Sequence, residues 1–466
     1  MDDFERYQSP YSWRYGSEEM RRLWSERNKR RIWREIWLGL AEVQAGFGLV
    51  HPAQVEDLRA HVAEINLDRS FEIEAEIHHD LMAEIKTFAE QCRIGGGVIH
   101  MGATSADIED NADVIRMKKA LEILLTKMRA LLLTFADRIA QWADIAVIGF
   151  THLQPAEPTT LGYRLAFSAQ DLLMDWEDLQ RIHQHLRGKG FKGAVGTAAS
   201  YAELIGKDDF EDFEARLGKK LNLTFFPVTT QTYPRKQDYR LLSALAGIAA
   251  TAYKFAFDLR LLQSPLSGEI GEPFASRQVG SSAMPFKRNP ILAEKIDSLA
   301  RSMAQLPRIA WDNAAHALLE RTLDDSANRR SILPEAFLIT DELIETTHKI
   351  LQDLQIDATA MQQNLKRYSP FAGTERILVA AVKAGADRQK VHACLLAHSR
   401  VAREAVTQGL ENPLIGLVAD DPYLQTYLSR EMIRELFSIE TYLGDAPKRA
   451  RQMSALIRQS LSASRI

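Results

Sequence analysis

Residues 280–290, with the sequence GSSAMPFKRNP, place two hydroxyls and two cations beside the predicted start of a helix. Asn289 is a candidate N-cap, so the positive end of that helix would face the loop. With Ser281, Ser282 and Lys287, such a helix end can bind a carboxylate and stabilise the negative charge that develops when a proton leaves the adjacent carbon. A solvated serine-rich loop between two helices is the alternative interpretation.

Residues 149–160 read GFTHLQPAEPTT and hold a histidine in a proline-punctuated turn ahead of a predicted helix. Because histidine titrates near neutral pH, His152 is a candidate general acid for a leaving nitrogen. A capping or surface histidine is the alternative.

Residues 100–107, HMGATSAD, offer two hydroxyl donors in a glycine-containing turn. Thr104 and Ser105 can donate hydrogen bonds to a carboxylate, although such a turn is more often a helix cap. Upstream, His78 and His79 suggest a metal site. We disfavour it because adjacent histidines on a helix point in different directions and no third ligand has suitable spacing.

Residues 320–330, ERTLDDSANRR, place three arginines and a serine near the start of a predicted long helix. Guanidinium groups bind phosphate through paired hydrogen bonds, so this run is a candidate phosphate site. A salt-bridge cluster between helices is the alternative.

The elements that position these residues are predicted to be long helices, because apolar residues recur at steps of three and four. The predicted helices cover residues 113–142, 160–186, 241–262, 292–306 and 334–354. Seams of this length are typical of bundles of near-parallel helices. No segment alternates with period two, so we expect an all-α fold without a substantial sheet.

Glycine, proline and polar residues divide the chain into predicted domains. The breaks fall at residues 95–97, 188–196, 264–290 and 368–370. We expect an N-terminal helical domain over residues 1–104, a central long-helix bundle over 105–356 and a C-terminal helical domain over 357–466.

The chain has 466 residues and a net charge of −4, so no overall positive charge attracts nucleic acid or an anionic membrane. Its two cysteines, Cys92 and Cys394, cannot form a disulfide framework or a four-sulfur zinc site, and are typical of a reducing compartment.

The acidic start MDDFERY lacks the features of a signal peptide. The longest uncharged apolar stretch, residues 241–253, is shorter than the roughly 20 residues that span a bilayer. We expect a cytoplasmic protein without nucleic-acid or membrane partners.

Residues 280–290 resemble the S-S-x-M-P-x-K-x-N-P signature of the fumarase and aspartase superfamily at every fixed position. The resemblance implies that Ser281 is the base that removes the Cβ proton and that Ser282 contacts the substrate. It further implies that Lys287 and Asn289 hold a substrate carboxylate.

Residues 151–160 are similar to the T-H-x-Q-x-A-x-P-T-T element of the same superfamily. Its histidine is the general acid in purine-type lyases, which implies that His152 protonates the leaving nitrogen. The superfamily pairs this histidine with a glutamate seven residues beyond the signature lysine, where Glu294 stands.

Residues 320–330 closely resemble the E-R-T-L-D-D-S-A-N-R-R run of the adenylosuccinate lyase branch of the superfamily. This resemblance implies that Arg321, Ser326 and Arg330 contact the phosphate and purine of a nucleotide. The run at residues 320–330 distinguishes the adenylosuccinate lyase branch from argininosuccinate lyase.

Further segments resemble the same branch and add substrate contacts. The H-x-G-A-T-S element implies that Thr104 and Ser105 contact the succinyl group. Gln231 would contact the succinyl group or the purine, and Arg14 and Tyr15 would contact the phosphate.

Two positions depart from the pattern of the branch. The tripeptide His78-His79-Asp80 stands where Arg-His-Asp is usual, so one substrate contact is altered while a catalytic His79 and a substrate-binding Asp80 remain. Lys295 stands where arginine is common, which keeps a positive charge and loses a bidentate fork.

The resemblance implies an anti β-elimination in which Ser281 takes the Cβ proton, His152 protonates the departing nitrogen, and fumarate and AMP leave. The succinyl-carboxamide imidazole ribotide of purine biosynthesis is expected to react in the same way. No metal or organic cofactor is implied, since Lys287 and oriented hydrogen bonds meet the charge. The superfamily assembles this site where three subunits of a homotetramer meet. Another superfamily member, such as argininosuccinate lyase or a lactonising enzyme, and a catalytically silent scaffold are the alternatives.

Overall fold

The structure is a computed structural model that describes residues 4–439 and 442–463, so the first three residues of the acidic start lie outside the described residues. Helices dominate, which confirms the all-α prediction. The first helices are α1 (Pro10–Trp13), α2 (Glu18–Trp24), α3 (Glu26–Ala45), α4 (Pro52–His61), α5 (Leu67–Ile77) and α6 (Asp80–Gln91). The middle of the chain forms α7 (Ser105–Gln141), α8 (Leu161–His185), α9 (Ala199–Ile205), α10 (Phe210–Leu221), α11 (Lys236–Gln263), α12 (Ile291–Met303), α13 (Leu306–Ala315) and α14 (Ser326–Gln352). The last helices are α15 (Ala358–Lys383), α16 (Arg388–Thr407), α17 (Leu414–Ala419), α18 (Pro422–Gln425), α19 (Arg430–Leu436) and α20 (Ala446–Ala463). Short 3₁₀ turns cover Gly96–Val98 and Lys207–Asp209.

Five long helices, α7, α8, α11, α12 and α14, share one apolar core. The seam predicted for α7 is confirmed, since Met117, Leu121, Leu124 and Met128 are all fully buried. Because apolar residues line more than one side of these helices, the bundle buries each of them against several neighbours.

Two smaller apolar clusters flank this bundle. One joins α3, α4 and α6 to the first turns of α7 and to α10, and the other joins α15, α16, α17 and α19. The last helix, α20, packs instead against α7 and α8 of the central bundle. The domain boundaries at residues 104 and 356 stay a prediction.

Helix α11 is the helix, among residues 4–439 and 442–463, that is long and apolar enough by composition to cross a membrane. It packs against α8, α12, α13 and α14, with Leu241, Leu245 and Ile248 in the core. The central position of α11 in the bundle accounts for its apolar composition.

Some predicted helix boundaries are wrong. The helix predicted over residues 292–306 ends three residues early, since α12 covers Ile291–Met303 and α13 begins at Leu306. Pro334 and Pro370 lie inside α14 and α15, so the predicted break at residues 368–370 does not interrupt the helix. A proline removes one backbone hydrogen bond, but buried neighbours such as Phe337 and Ile377 hold these helices in place through tertiary packing.

Strands are few among the described residues. The strands are β1 (Ala146–Thr151), β2 (Gln154–Thr160), β3 (Ile270–Gly271) and β4 (Gln355–Ile356). Strands β1 and β2 form an antiparallel hairpin between α7 and α8, with a register shift between Ile148 and Phe150. The short strands β3 and β4 pair directly after α11 and α14 end.

Three parallel helices give the bundle two distinct ends. Arg235, just before α11, donates hydrogen bonds to Asp110 of α7 at 3.0 Å and to Asp325, just before α14, at 2.6 Å. We name this the arginine end. The opposite ends of α7 and α14 also meet, since Arg138 donates a hydrogen bond to the carbonyl of Gln352, and we name this the hairpin end. The 37 residues of α7 span about 55 Å at 1.5 Å per residue.

Candidate functional site

A cleft opens at the arginine end. Asp80 of the tripeptide at residues 78–80 lines it, together with Arg321, Ser326 and Arg330 of the 320–330 run. Further walls come from α2, α3 and α7. Since most lining side chains are charged, the cleft is suited to an ionic ligand rather than an apolar one.

One wall of the cleft is a buried network of arginines and aspartates. Arg235 donates to both oxygens of Asp110 at 3.0 Å and to Asp325 at 2.6 Å. Arg329 donates to Asp238 at 2.9 Å. The two arginines are only 5% and 8% exposed, so the loss of one partner would leave an uncompensated buried charge. The network therefore fixes the starts of α7, α11 and α14 relative to one another.

The predicted phosphate contacts lie beside this network in more exposed positions. Arg321 pairs with Asp325 at 2.7 Å, and Arg330 pairs with Asp80 at 2.8 Å. The salt-bridge interpretation accounts for both pairs. The Arg330 side chain is nevertheless 57% exposed, so its guanidinium can also reach an anion in the cleft. Ser326 opens α14, where backbone N–H groups lack intrahelical partners.

Two carboxyl groups of the cleft differ in protonation. Burial alone would raise the pKa of Asp80, but Arg330 and Lys29 outweigh it and hold that pKa below its usual value. Glu109 faces the same cleft from α7, and burial together with Asp80 and Asp110 raises its pKa to about 8. At neutral pH Glu109 is mostly protonated, which limits the negative charge that a bound anion meets.

The tripeptide at residues 78–80 forms the corner between α5 and α6. His78 is the left-handed C-cap of α5, with φ of 56°, and His79 is the N-cap of α6. The Nδ1 of His79 accepts a hydrogen bond from the N–H of Met82 at 3.3 Å. The histidines thus cap two different helices, and the expectation that they share one helix is wrong. His79 also lies near His100, whose pKa falls to about 4 because of burial first and His79 second.

Thr104 and Ser105 stand at the start of α7, also at the arginine end. Thr104 is the N-cap and forms a capping box with Asp107, whose carboxylate accepts the N–H of Thr104 at 3.0 Å. The capping role considered for this turn is therefore confirmed for Thr104. Gln231 lies beside the 320–330 run, since its N–H donates to the carbonyl of Glu320 at 3.1 Å.

His152 occupies the tip of the β1–β2 hairpin. His152 and Leu153 have φ of 52° and 59°, which produces the two-residue turn that matches the twist of the flanking strands. His152 thus lies in a turn ahead of α8, as predicted, and strand β2, which was not predicted, separates the turn from the helix. Leu153 is 69% exposed and His152 is exposed as well, so the hairpin holds the imidazole away from the core of its own chain.

The signature loop, residues 280–290, connects the hairpin end of α11 to α12. The Oγ of Ser281 accepts a hydrogen bond from the N–H of Met284 at 3.1 Å, which orients the half-buried serine within a local turn. Ser282 and Lys287 are exposed. The loop thus presents its hydroxyl and cationic groups outward.

The N-cap prediction for Asn289 is wrong. Helix α12 begins two residues later, and the Asn289 amide donates instead to the carbonyl of Gly280 at 3.0 Å. Buried Glu272 takes the capping role, since its carboxylate accepts the N–H groups of Leu292 and Ala293 at 2.9 and 3.0 Å. Burial raises the pKa of Glu272 despite these hydrogen bonds. A carboxylate of the chain itself therefore occupies the positive end of α12.

Glu294 and Lys295 lie in the first turns of α12. Glu294 is exposed and stands 3.8 Å from Arg260 of α11. The Nζ of Lys295 lies 2.6 Å from the carboxylate of Glu342, which also accepts the N–H of Gly16 at 2.9 Å. Lys295 is therefore engaged in an ion pair with α14.

This ion pair places another group of predicted residues midway along the bundle. Glu342 follows Arg330 by 12 residues in α14, which corresponds to about 18 Å along the helix axis. Arg14 and Tyr15 directly precede Gly16, so they share this position with Lys295. None of the three lines the cleft at the arginine end.

One chain thus holds its predicted site residues in separate places. The residues at the arginine end are His78, His79, Asp80, Thr104, Ser105, Gln231, Arg321, Ser326 and Arg330. The residues of the signature loop and Glu294 lie at the far end of α11, where Gln263 contacts the loop and Arg260 faces Glu294, and the 28 residues of α11 span about 42 Å. His152 follows the far end of α7. A small substrate cannot touch all of these groups within one chain.

Two family models match the chain. A lyase family model matches residues 13–304, and a model of the adenylosuccinate lyase C-terminus matches residues 370–453. The chain is 38% identical over 456 residues to an adenylosuccinate lyase of Saccharomyces cerevisiae, with 96% of this chain and 94% of the relative covered. It is 40% identical over 430 residues to an adenylosuccinate lyase of Schistosoma mansoni, with coverage of 91% and 89%. The chain belongs to the adenylosuccinate lyase family. It is a lyase.

Solved structures share the fold of this adenylosuccinate lyase family member. A 3-carboxy-cis,cis-muconate lactonizing enzyme from Pseudomonas putida superposes with a TM-score of 0.86 at 23% identity, covering 98% of this chain and all of that one. A fumarate lyase from Mesorhizobium sp. BNC1 gives a TM-score of 0.83 at 22% identity, with 97% and 99% covered. At these identities the likeness establishes the fumarase and aspartase fold alone.

Sequence reasoning missed the residues that position the family's motifs. Arg329 stands inside the 320–330 run yet points into the buried network, and Arg235 pairs with residues 90 and 125 positions away. Glu109 and Asp110 lie in the first turns of α7, ahead of the predicted apolar seam. The one available signal was the density of acidic residues at the start of that helix, since acidic side chains there seek arginine partners when buried.

Proposed function

We propose that the protein eliminates fumarate from adenylosuccinate to give AMP, and from the succinyl-carboxamide imidazole ribotide of purine biosynthesis. The observation that carries the proposal is the cleft at the arginine end, which Arg321, Ser326 and Arg330 line together. These residues match the nucleotide-binding run of the adenylosuccinate lyase family, to which the chain belongs. The names of the relatives support the same substrate.

We assign the nucleotide phosphate to this cleft. The guanidinium of Arg330 offers a fork of donors on a partly exposed side chain, and the positive end of α14, which begins at Ser326, favours an anion. The protonated state of Glu109 keeps one carboxyl from repelling the anion. His79, Thr104 and Ser105 lie at the same end, so they can contact the succinyl part of the substrate.

The proposed chemistry is an anti elimination. Ser281, acting as an alkoxide, removes the Cβ proton, and Lys287 and nearby N–H groups stabilise the charge that moves onto the substrate carboxylate. The C–N bond then breaks, and His152 donates a proton to the departing nitrogen. Glu294 orients the imidazole. The reaction leaves oxidation states unchanged, so it requires no redox cofactor.

We further propose a homotetramer in which each site takes residues from more than one subunit. The separation of the arginine end from the signature loop by about 42 Å along α11 supports shared sites. Helices α8 and α11 also carry large apolar side chains on their surfaces. The most exposed are Phe167 at 56%, Met174 at 59% and Phe257 at 55%. Large exposed apolar side chains of this kind are suited to packing against a second copy of the bundle.

We propose a cytoplasmic location for the protein. The two cysteines are unpaired, which suits a reducing compartment. Fusion to a fluorescent protein at the C-terminus, followed by fractionation, tests this location. Recovery of the fusion in a membrane or organelle fraction would contradict it.

The deciding experiment monitors ultraviolet absorbance with adenylosuccinate, with a coupled assay for fumarate. We expect turnover by the wild type and near-complete loss in Ser281→Ala, with argininosuccinate as the control substrate. A folded wild-type oligomer that processes argininosuccinate and not adenylosuccinate would overturn the substrate assignment. Full activity of the variant would leave the family intact and refute Ser281 as the base.

A further inference from the structure

A cysteine, a histidine and an aspartate meet at the surface of the C-terminal apolar cluster. Cys394 and His398 are one helical turn apart on α16, which places both side chains on one face. Asp421 is the N-cap of α18. Its Oδ2 lies 3.1 Å from the Sγ of Cys394 and 2.8 Å from the Nε2 of His398. All three potential ligand atoms lie within 4.8 Å of one another.

We propose that Cys394, His398 and Asp421 form a binding site for a divalent transition metal, with Zn²⁺ as the preferred ion. Thiolate, imidazole and carboxylate together suit zinc and cobalt, whereas calcium and magnesium prefer oxygen ligands alone. Three protein ligands leave a fourth tetrahedral position. All three residues are half-buried, so water can reach that position.

The geometry is close to that of a bound metal. With metal–ligand bonds of about 2.0 to 2.3 Å, neighbouring ligand atoms of a tetrahedral site are roughly 3.3 to 3.6 Å apart. The two measured separations, 3.1 and 2.8 Å, are shorter by about half an ångström, which small side-chain rotations supply. No backbone rearrangement of α16 is required.

The surroundings hold the aspartate in place. The second oxygen of Asp421, Oδ1, accepts the N–H of Leu424 at 3.0 Å, so the carboxylate is oriented as outer-shell hydrogen bonds orient metal ligands. Cys394 packs against the cluster, and Leu395 beside it on α16 is buried there. A metal at this point would tie α16 to the turn between α17 and α18. The proposed metal site shares no residue with the cleft, the hairpin or the signature loop.

Metal binding replaces two hydrogen bonds and releases a proton. The thiol of Cys394 and the imidazole of His398 now share one oxygen of Asp421. When the metal binds, the thiol loses its proton to solvent and the imidazole presents Nε2 while its proton moves to Nδ1. Affinity should therefore increase with pH. The alternative is that the three side chains form a hydrogen-bonded cluster without metal affinity.

Cobalt titration of the full-length, chelator-treated protein tests the proposal, because a cobalt–thiolate bond has a near-ultraviolet charge-transfer band. We expect about one Co²⁺ per chain, with a band that Cys394→Ser abolishes and that one equivalent of Zn²⁺ removes. His398→Gln should weaken binding at least 10-fold. Cys92→Ser is the matched control, since that buried cysteine lies in the N-terminal cluster, and it should leave the band unchanged.

A stability measurement provides a second readout that does not depend on the spectrum. Zinc at about 100 times its Kd should raise the Tm of the wild type by about 3 °C and leave the Tm of Cys394→Ser unchanged. The absence of a thiolate band in the wild type, or a band of equal strength in Cys394→Ser, would overturn the proposal. Asp421→Asn is unsuitable as the main test because it also alters the cap of α18.

Discussion

The arginine end and the signature loop of this chain are built in opposite ways. At the arginine end, Arg235 and Arg329 are buried and each pairs with more than one carboxylate. In the signature loop, the hydrogen bonds at Ser281 come from residues two and three positions further along. Phe286 in the loop and Val279 directly before it are 83% and 76% exposed. One region is held by long-range ion pairs, and the other by local turns.

This difference in construction indicates that the arginine end binds the substrate, whereas the signature loop takes part in the reaction. A buried, fully paired network holds the cleft in one geometry within a single chain, so an anion meets a preformed site. An exposed loop with outward apolar side chains gains its fixed geometry when another surface covers it. We therefore expect mutations in the signature loop to lower kcat, and mutations at the arginine end to change ligand affinity or stability.

The largest expected effect is at Ser281. Ser281→Ala should lower kcat by about 10³- to 10⁴-fold, because it removes the group that accepts the Cβ proton. The Kd for AMP, measured by calorimetry, should change less than twofold, because the arginine end keeps its contacts. A parallel loss of AMP affinity would mean that the two regions are not separate. Ser298→Ala, an exposed serine of α12, serves as the control.

Mixing variants tests whether the loop and hairpin act across subunits. Ser281→Ala and His152→Ala should each be nearly inactive, while tetramers reassembled from both should regain a substantial fraction of wild-type activity. The reason is that some of the shared sites then receive an intact serine and an intact histidine from different chains. Continued inactivity of verified mixed tetramers would contradict shared sites. Reassembly of each variant with itself is the control.

The next effect is on stability. Arg329→Met should lower the free energy of unfolding by about 3 to 5 kcal/mol, because Asp113 and Asp238 would keep buried charges without this partner. Arg330→Met, at the adjacent but exposed position, is the matched control and should cost about 1 kcal/mol or less. Urea unfolding of both variants measures the difference. Equal losses would remove the distinction between the buried network and its exposed neighbours.

The sequence predicts the long helices well and their ends poorly. The seam of α7 was visible from Asp113, yet the helix begins at Ser105, because its first turns carry the acidic residues that face the cleft and break the apolar pattern. Pro334 was the predicted start of a helix and Pro370 part of a predicted break, yet both lie inside helices that packing holds together. The β1–β2 hairpin was not predicted, because Gly149, Pro155 and Pro158 interrupt any alternation of apolar and polar residues.

The site was predicted as a set of residues and not as an arrangement. Each motif could be matched within a short segment, but the spacing between segments depends on helix lengths and on contacts between distant residues. Glu272 illustrates this point, since it caps α12 from 20 positions upstream and no local pattern indicates it. The motifs therefore identify candidates, and the lengths of α7 and α11 show that one chain cannot gather them.

A smaller effect is expected at Arg330. Arg330→Ala should raise KM by about 10- to 100-fold, since charge-assisted hydrogen bonds to phosphate contribute about 1.5 to 3 kcal/mol. Its kcat should change little, because Arg330 is proposed to contact the phosphate and not the carbon and nitrogen atoms that react. Arg330→Lys should recover part of the affinity, as it keeps the charge and loses the fork. A kcat loss larger than the KM increase would place Arg330 in the chemistry rather than in binding.

The smallest effect concerns Glu109 and depends on pH. Its folded-state pKa of about 8 exceeds the ordinary value of about 4.3, so the folded chain holds a proton that the unfolded chain has lost. This group therefore lowers stability progressively as pH rises from about 4.3 to about 8, and adds no further loss above that. Glu109→Gln cannot ionise, so it should match the wild type near pH 4.5. At pH 8 it should be more stable, by on the order of 1 kcal/mol, because its position at the open cleft screens the effect.

Thermal unfolding of Glu109→Gln and wild type at pH 5, 6.5 and 8 measures this difference, with the exposed Glu76→Gln as the control. A Tm difference that grows with pH for Glu109 and stays constant for Glu76 is the expected result. A constant difference at both positions would mean that Glu109 ionises normally. The cleft would then present one more negative charge on α7 to a bound phosphate, and cations such as Lys29, Arg321 and Arg330 would have to outweigh it.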